Sequence, residues 1–293
     1  MNIIEINNTM LDQNLYAVDC HAHIVDSARF PFSNPDGYKP GPNECGTAHE
    51  FRTVLDHHQI THALLVNPFA GYATDNSCML DAIATSKGRF KGIALINEST
   101  SDLTLKQLTD GGVIGARFNT LFSSSTSLHG AEGAKLLARV KDHGWFAQIY
   151  YHHEGLLDLL PLLKRTGIKV VIDHCGCPNT GQGIMQPEFQ ALLELGRGGN
   201  SAIKLSGAFR YSTEAWPYSD TEPYIRELVK AFTLDRCVWG SDWPFVRVPK
   251  RMDYGPVRSL LDRWFPDAAD QRKILWETPG NLFGFSAKET AHA

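Results

Sequence analysis

Two histidines separated by a single residue, His21 and His23, follow a short apolar segment near the start of this 293-residue chain. In a β-strand this spacing places both imidazoles on the same face. His174 and Asp242 follow two further apolar segments. Imidazole and carboxylate groups transfer protons and bind metal ions, so their convergence would form a functional site. For an isolated His-X-His pair, the alternative is hydrogen bonding at the surface.

The aspartates at these segment ends have different expected positions. Asp173 directly precedes His174, and adjacent strand residues point to opposite faces, so we expect only one of the two to face the site. Asp242 lies between an apolar segment and Trp243-Pro244, which argues against a role as a surface helix cap. A carboxylate near several imidazoles can accept a proton from water, so Asp242 is the predicted general base.

Arg117, Asn119 and Tyr150 end two more apolar segments. A buried guanidinium needs an anionic partner, and a carboxylate matches its geometry in a bidentate manner. Arg117 is therefore predicted either to bind a substrate oxygen or to form a structural ion pair with a core aspartate. Tyr150 either donates its phenol to the substrate or fills the core. Asn119 is a candidate for substrate binding.

The remaining cysteines and histidines receive structural interpretations. Cys175 and Cys177 form a Cys-X-Cys pair without a second pair nearby, so we do not expect a metal there. The pairs at 57–58 and 152–153 are expected to be surface histidines. Six cysteines do not make a disulfide framework in a chain of this length, which indicates reduced thiols and a cytoplasmic protein.

Short apolar segments recur along the chain, as in strands that are buried on both faces of a parallel sheet. We predict strands at 16–20, 62–67, 90–96, 113–118, 145–151, 168–173, 202–206 and 236–240. Helical patterns follow them at 47–58, 76–86, 101–109, 131–143, 155–165, 187–195, 221–232 and 255–264. Eight such units predict an α/β fold, a single (β/α)8 TIM barrel with its active site at the carboxyl ends of the strands.

Two segments are expected to extend this barrel. Residues 267–276 form a helical pattern that predicts an extra C-terminal helix. Residues 24–46 are rich in proline, glycine and aromatic residues, which predicts a lid-like loop after the first strand. We find no linker, so residues 1–293 are interpreted as one domain with a core at about 16–285.

Composition excludes several classes of function. The 28 basic and 32 acidic side chains give a formal charge of −4, so no basic surface for nucleic acid is expected. No apolar stretch approaches the ~18 residues of a membrane span, and no membrane partner is expected. Residues 1–15 lack the basic, apolar and cleavage regions of a secretory signal.

Three motifs together carry a family resemblance: residues 19–23 (Asp-Cys-His-Ala-His), 171–176 (Val-Ile-Asp-His-Cys-Gly) and 239–244 (Trp-Gly-Ser-Asp-Trp-Pro). With residues 115–119 and 281–283, they resemble amidohydrolase family 2 of the amidohydrolase superfamily. Within that family the pattern is similar to the lactonases of 2-pyrone-4,6-dicarboxylate and related compounds. The resemblance extends from about residue 19 to 285.

The resemblance implies a barrel that hydrolyses a lactone during the breakdown of aromatic compounds. It implies that Asp242 activates water while the three histidines surround the carbonyl. It also implies that Arg117 and Tyr150 bind or polarise substrate oxygens, and that Arg210 and Tyr38 hold a substrate carboxylate.

Three departures from the dicarboxylate lactonases bear on the substrate. Ser123 and Cys177 stand where those enzymes have arginines, and Phe245 stands where they have a histidine. A site that lacks two guanidiniums should bind a dianion weakly. We therefore predict a less anionic substrate, a small lactone with one carboxylate or sulfonate.

The resemblance leaves the cofactor open between one divalent metal such as Zn and none. Arg117 stands where the superfamily usually has a bridging lysine, which removes the common two-metal site. If one metal is bound, its implied ligands are His21, His23, His174 and Asp242.

Two further classes of function remain alternatives. One is a metal-dependent decarboxylase of an aromatic or unsaturated acid on the same barrel. The other is a non-catalytic barrel, which the polar residues at six strand ends argue against. A homo-oligomer is left open, and so is the physiological direction, hydrolysis or ring closure.

Overall fold

The computed structural model describes residues 16–34, 37–120, 128 and 130–287. Its sheet contains eight parallel strands that neighbour one another in chain order. The strands are β1 (Val18–Ala22), β2 (His62–Val66), β3 (Phe90–Ala94), β4 (Val113–Asn119), β5 (Phe146–Tyr150), β6 (Val170–Ile172), β7 (Ser201–Leu205) and β8 (Cys237–Trp239). Nearly every strand residue is buried, as expected for a sheet that is covered on both faces.

Hydrogen bonds between the carboxyl end of β1, with the residue that follows it, and the segment after β8 close the sheet into a barrel. The backbone N–H of His23 donates to the Trp243 carbonyl at 2.7 Å, and the N–H of Asp242 donates to the His21 carbonyl at 2.7 Å. The predicted (β/α)8 TIM barrel is therefore confirmed. Because strand order follows chain order, β4 and β8 lie on opposite sides of the barrel.

A principal helix follows each strand. These are α1 (Ala48–His57), α2 (Ser77–Ala84), α3 (Asp102–Asp110), α4 (Gly130–Asp142), α5 (Leu156–Thr166), α6 (Pro187–Arg197), α7 (Glu222–Phe232) and α8 (Tyr254–Trp264). The start of α1 is fixed by a capping box, in which Glu50 N donates to Thr47 Oγ1 at 3.2 Å and Thr47 N donates to the Glu50 carboxylate at 2.7 Å. Single helical turns lie at Phe69–Tyr72 and Ala208–Tyr211.

The C-terminal segment is helical but not one continuous α-helix. It consists of α9 (Ala268–Arg272), a π-helical turn (Lys273–Glu277) and α10 (Thr278–Phe283). Pro279 has no N–H and its ring crowds the carbonyl four residues earlier, so the regular α-helical pattern cannot run through it. Phe283 and Phe285 pack in an apolar cluster with interior residues of the strands, at the end of the barrel opposite the site.

The loop after β1 has the length predicted for a lid. It is anchored by an antiparallel bridge between Val25 and Gly46 and contains a 3-10 turn at Pro42–Glu44. None of the helices in the described ranges is long and apolar enough to cross a lipid bilayer.

The first strand differs from its prediction. β1 spans Val18–Ala22 rather than 16–20, and its pairing with β2 shifts register between Asp19 and Ala22. His21 therefore lies inside the strand and is completely buried. The apolar pattern missed this because three polar residues, Asp19, His21 and His23, occupy buried positions here.

Candidate active site

A cavity of about 600 Å³ opens at the carboxyl ends of the strands, where the sequence predicted the site. Predicted site residues on its lining are His23, Tyr38, Arg117, Asn119, Tyr150, His174, Arg210 and Asp242. His21 is close to the other two histidines, with ring centroids 5.0 Å from His23 and 4.5 Å from His174. It lies beneath the cavity floor, however, and is not part of the lining.

Asp242 is the point on which the other groups converge. Its Oδ2 accepts a hydrogen bond from Arg210 Nε and lies 3.6 Å from His174 Nε2. Its Oδ1 lies 3.3 Å from His23 Nε2 and 3.7 Å from His21 Nε2, without a hydrogen-bond partner among the described residues. Burial would raise the pKa of Asp242, but the adjacent Arg210 guanidinium holds it well below its usual value. The carboxylate is therefore ionised.

The rings of His23 and His174 are oriented by groups behind them. His23 Nδ1 lies 2.7 Å from the Val66 carbonyl, which can only accept, so this nitrogen carries the proton. In the neutral ring, the lone pair on Nε2 therefore faces the cavity. His174 Nδ1 lies 3.0 Å from Ser206 Oγ. Burial lowers the pKa of His174 to about 3, against the opposing effect of Asp242, so this ring is neutral near pH 7.

Asp173 and His174 both face the interior, contrary to the expectation that only one would. The chain leaves β6 in a 3-10 turn at His174–Gly176, and His174 has a φ of 48°. Strand alternation ends at Asp173, so the next side chain is not forced outward. Asp173 points below the floor toward His21, whereas His174 points into the cavity.

Arg117 lines the cavity and also forms the structural ion pair that the sequence left open. Its Nε donates to Asp173 Oδ2 at 3.0 Å, and its guanidinium lies 4.9 Å from the Tyr150 ring centroid. Burial raises the pKa of Tyr150, so the phenol keeps its proton and can donate a hydrogen bond.

The outer part of the cavity contains Tyr38 from the β1 loop and Arg247 from the segment after β8. The Arg247 guanidinium lies 4.5 Å from the Tyr38 ring centroid. Glu44 connects the two segments, since its carboxylate accepts hydrogen bonds from the Tyr38 hydroxyl and from Arg247 N.

The departures from the dicarboxylate lactonases lie in three environments. Cys177 is fully buried behind the site, and Phe245 packs against Phe209, with ring centroids 5.8 Å apart. Ser123 lies outside the described residues. Cys175 is also fully buried, and all six cysteines are free thiols, so the Cys-X-Cys pair is structural.

Three residues near the site were missed or misplaced by sequence reasoning. His152 lines the cavity instead of lying on the surface, with Nε2 3.3 Å from the Arg210 carbonyl. Lys204 and Gln148 are fully buried beneath the floor. In the sequence, the only indication of these two residues was a lysine or a glutamine inside an otherwise apolar strand.

The predicted metal-ligand set fails a test of its donor chemistry. His21, His23 and Asp242 offer atoms that lie within 4.8 Å of one another. A histidine ligand normally donates the N–H of its second ring nitrogen to an acceptor. His21 Nδ1 lies 3.2 Å from Asp173 Oδ1 but also 3.2 Å from the Lys204 amino group, and Asp242 Oδ2 already accepts from the Arg210 guanidinium. With these two cationic groups beside His21 and Asp242, the residues do not fit a divalent cation.

A barrel whose strand ends carry His-X-His, a further histidine and an aspartate is an amidohydrolase-type barrel. A family model described as amidohydrolase matches residues 18–285, and the chain belongs to this family. It is a lactonase-like hydrolase that acts on ester bonds.

The chain is similar to several characterised relatives. It is 29% identical to a 2-pyrone-4,6-dicarboxylate hydrolase of Comamonas testosteroni, over 91% of this chain and 90% of the relative. It is 31% identical to a 4-sulfomuconolactone hydrolase of Rhizobium radiobacter, over 92% and 90%. A crystal structure from Acinetobacter baumannii, described as a probable 2-pyrone-4,6-dicarboxylic acid hydrolase with citric acid bound, superposes with a TM-score of 0.83 at 29% identity, covering 92% of this chain and 99% of that one.

Decarboxylases are more distant. A dihydroxybenzoic acid decarboxylase from Polaromonas with bound manganese is 15% identical, with a TM-score of 0.60, over 94% of this chain and 98% of that chain. This likeness concerns the fold alone.

Proposed function

We propose that this protein hydrolyses a small lactone with a single carboxylate or sulfonate, using Asp242 as the general base. The observation that carries the proposal is Asp242 Oδ1, an ionised carboxylate oxygen that has no partner among the described residues, at the floor of the cavity. The substrates named for the relatives are lactones and a pyrone, and both kinds are cyclic esters.

In the proposed reaction, Asp242 accepts a proton from water as the water oxygen attacks the lactone carbonyl. The ring C–O bond then breaks, and the proton passes from Asp242 to the leaving oxygen. Arg210 keeps Asp242 ionised before the attack because its guanidinium contacts Oδ2. General-base assistance of this kind contributes about 10²- to 10⁴-fold to the rate.

The negative charge that develops on the carbonyl oxygen needs donors. Tyr150 is protonated and lines the cavity, so its side chain supplies a phenol O–H to this oxygen. Neutral His174 supplies no charge to this oxygen. Donors that are already oriented are effective because they need no rearrangement during the reaction.

The preference for one anionic group follows from charge pairing around the cavity. Arg117 is paired with Asp173, and Arg210 is paired with Asp242. Cys177, which stands where the dicarboxylate lactonases have an arginine, is buried and contributes no positive charge to the cavity. We propose that Arg117, Asn119, Tyr38 and Arg210 contact the substrate carboxylate or sulfonate.

The decarboxylase alternative receives less support. That reaction was expected to need a metal on the same four residues, and the environment of His21 does not fit a metal ligand. The decarboxylase structures also share only the fold at their level of identity.

The proposal is tested with muconolactone, which carries one carboxylate, against two dianions, 4-sulfomuconolactone and 2-pyrone-4,6-dicarboxylate, at one pH and salt concentration. We expect the higher kcat/KM for the singly charged lactone. A preference for either dianion above about tenfold, or ~1.4 kcal/mol of transition-state discrimination, would contradict the proposed substrate charge. Failure to open any lactone would contradict the activity itself.

A further inference from the structure

Lys204 is a completely buried lysine in β7, and the reaction proposed above does not use it. Its side chain lies in the barrel interior beneath the cavity floor. Its Nζ lies 2.7 Å from Gln148 Oε1, 3.2 Å from His21 Nδ1 and 3.3 Å from Asp173 Oδ1. The contacts with Gln148 and His21 are hydrogen bonds, and the contact with Asp173 is an ion pair.

The neighbours of Lys204 are oriented in a consistent way. Gln148 accepts from Lys204 through Oε1 and donates through Nε2 to Asp173 Oδ2 at 3.0 Å, which fixes its amide. Asp173 Oδ1 lies 3.2 Å from His21 Nδ1 but makes no hydrogen bond to a described residue. Burial lowers the pKa of Lys204, whereas the nearby Asp173 carboxylate favours the ammonium form.

His21 Nδ1 lies 3.2 Å from both Lys204 Nζ and Asp173 Oδ1, but Asp173 Oδ1 makes no hydrogen bond to a described residue. An ammonium group cannot accept a hydrogen bond, so the contact with Lys204 assigns the acceptor role to His21 Nδ1. The proton of the neutral ring is then on Nε2. This nitrogen faces Asp242 Oδ1 at 3.7 Å. The contacts therefore form a sequence from Lys204 through His21 to the carboxylate.

We propose that Lys204 is a positioning residue, which keeps the His21 proton on Nε2 and so presents an N–H, rather than a lone pair, to Asp242. The part of the proposal that concerns Asp242 in catalysis rests on the proposed function. Without Lys204, Asp173 becomes the nearest partner of His21 Nδ1, and the ring proton moves to Nδ1. The lone pair on Nε2 would then face the Asp242 carboxylate and repel it.

The proton position is tested first on the unaltered protein. Long-range ¹H–¹⁵N spectra of protein labelled in histidine distinguish the two ring nitrogens, and His21→Gln identifies the His21 signals. We expect the protonated nitrogen to be Nε2 and the unprotonated one to be Nδ1. A proton on Nδ1, alone or together with one on Nε2, would overturn the proposal without any variant of Lys204.

Two variants then separate positioning from simple loss of an ion pair. In Lys204→Met, we expect the His21 proton to move to Nδ1. The second variant combines Lys204→Met with Asp173→Asn. In the original protein, Arg117 Nε and Gln148 Nε2 both donate to Asp173 Oδ2. The amide oxygen of the new asparagine should therefore occupy that position and accept from both. The amide NH₂ then faces His21 Nδ1 and restores the proton to Nε2. If the proton stays on Nε2 in Lys204→Met, the proposal is wrong.

Activity gives a second, independent readout. We expect Lys204→Met to lower kcat by about 10- to 100-fold through misplacement of the base, with KM changed less than about twofold. The double variant should regain a substantial part of kcat although it lacks two buried charges. Equal or greater loss in the double variant would show a structural role and overturn the proposal. The exposed Lys230→Met is the matched control, with circular dichroism for folding.

The histidine spectra and the kinetics together separate failure of the proposed function from failure of the proposed role of Lys204. If the protein opens none of the lactones, the proposed function fails, and the histidine spectra still decide where the His21 proton lies.

Discussion

His23 Nε2 lies 3.3 Å from Asp242 Oδ1, and no described residue gives that oxygen a hydrogen bond. His23 Nδ1 donates to the Val66 carbonyl, so when the ring carries no second proton its Nε2 lone pair faces an ionised carboxylate. Two acceptors that face each other are stabilised when a donor such as water lies between or beside them. This pair therefore marks the place where the attacking water is expected to bind.

Arg117 is predicted to favour anionic substrates. Arg117→Met should lower kcat/KM far more for a carboxylated lactone than for a neutral lactone of similar shape, because the lost contact is charge-assisted. Steady-state kinetics on the matched lactones measures the difference. Arg226→Met, an exposed arginine of α7, serves as the control and should change neither value. Equal losses on both lactones would assign Arg117 a structural or carbonyl-polarising role.

Tyr150 is predicted to donate its phenol in the transition state. Tyr150→Phe should retain the ring contact with Arg117 but lose the donor. Loss of one such donor raises the barrier by ~2.7–4 kcal/mol, so kcat should fall by about 10²- to 10³-fold. The control is Tyr16→Phe, which removes the same hydroxyl from a tyrosine that stacks on Trp276 away from the cavity. A kcat within a few-fold of the original would remove the phenol from the mechanism.

Metal removal is predicted to leave hydrolysis unchanged. His21 and Asp242 already have cationic partners in Lys204 and Arg210, which disfavour a further positive charge between them. Elemental analysis of the purified protein should find metal well below one ion per chain, and dialysis against a chelator should not alter kcat. A stoichiometric zinc whose removal abolishes activity and whose return restores it would contradict the donor-set argument.

Stability is predicted to decrease in mild acid because of His62, at the end of the barrel opposite the site. Burial, with Arg89 and Lys91 nearby, lowers the pKa of His62 from 6.5 to about 4. The unfolded chain therefore binds a proton at a higher pH than the folded protein does. The free energy of unfolding should fall as the pH drops from about 6.5 to about 4, by up to about 3 kcal/mol from this residue.

Urea denaturation at several pH values measures this contribution. His62→Gln should reduce the slope between pH 6.5 and 4 without abolishing it, because His174 also has a lowered pKa, whereas the exposed His49→Gln should leave the slope unchanged. If His62→Gln keeps the original slope, the dependence arises from other groups.

Periodicity and strand-end chemistry predicted the barrel and most of the polar residues on the cavity lining, because eight apolar segments alternate with amphipathic helices. The residues beneath the floor were not predictable in the same way. Lys204 is a charged residue within an apolar strand, and only the approach of β1, β5 and β6 supplies its partners. His174 faces inward because a local turn ends the strand, which alternation cannot anticipate.

Depth in the barrel explains why His21 and His23 have different surroundings although they belong to one motif. His21 lies within β1 and contacts Lys204, whereas His23 follows the strand and reaches the cavity. Their spacing predicted a shared face, which the ring separation of 5.0 Å bears out. Depth along the barrel axis depends on where the strand ends, and the sequence pattern placed that end two residues too early.

The kcat of Asp242→Asn on the lactone that the protein opens fastest is the most direct test of the account. Asparagine keeps the shape of the side chain but cannot accept the water proton, so kcat should fall by at least about 100-fold while the fold is retained. Asp110→Asn, an exposed change in α3, should leave kcat unaltered. An Asp242→Asn variant that hydrolyses the lactone at the original rate would contradict the assignment of Asp242 as the general base.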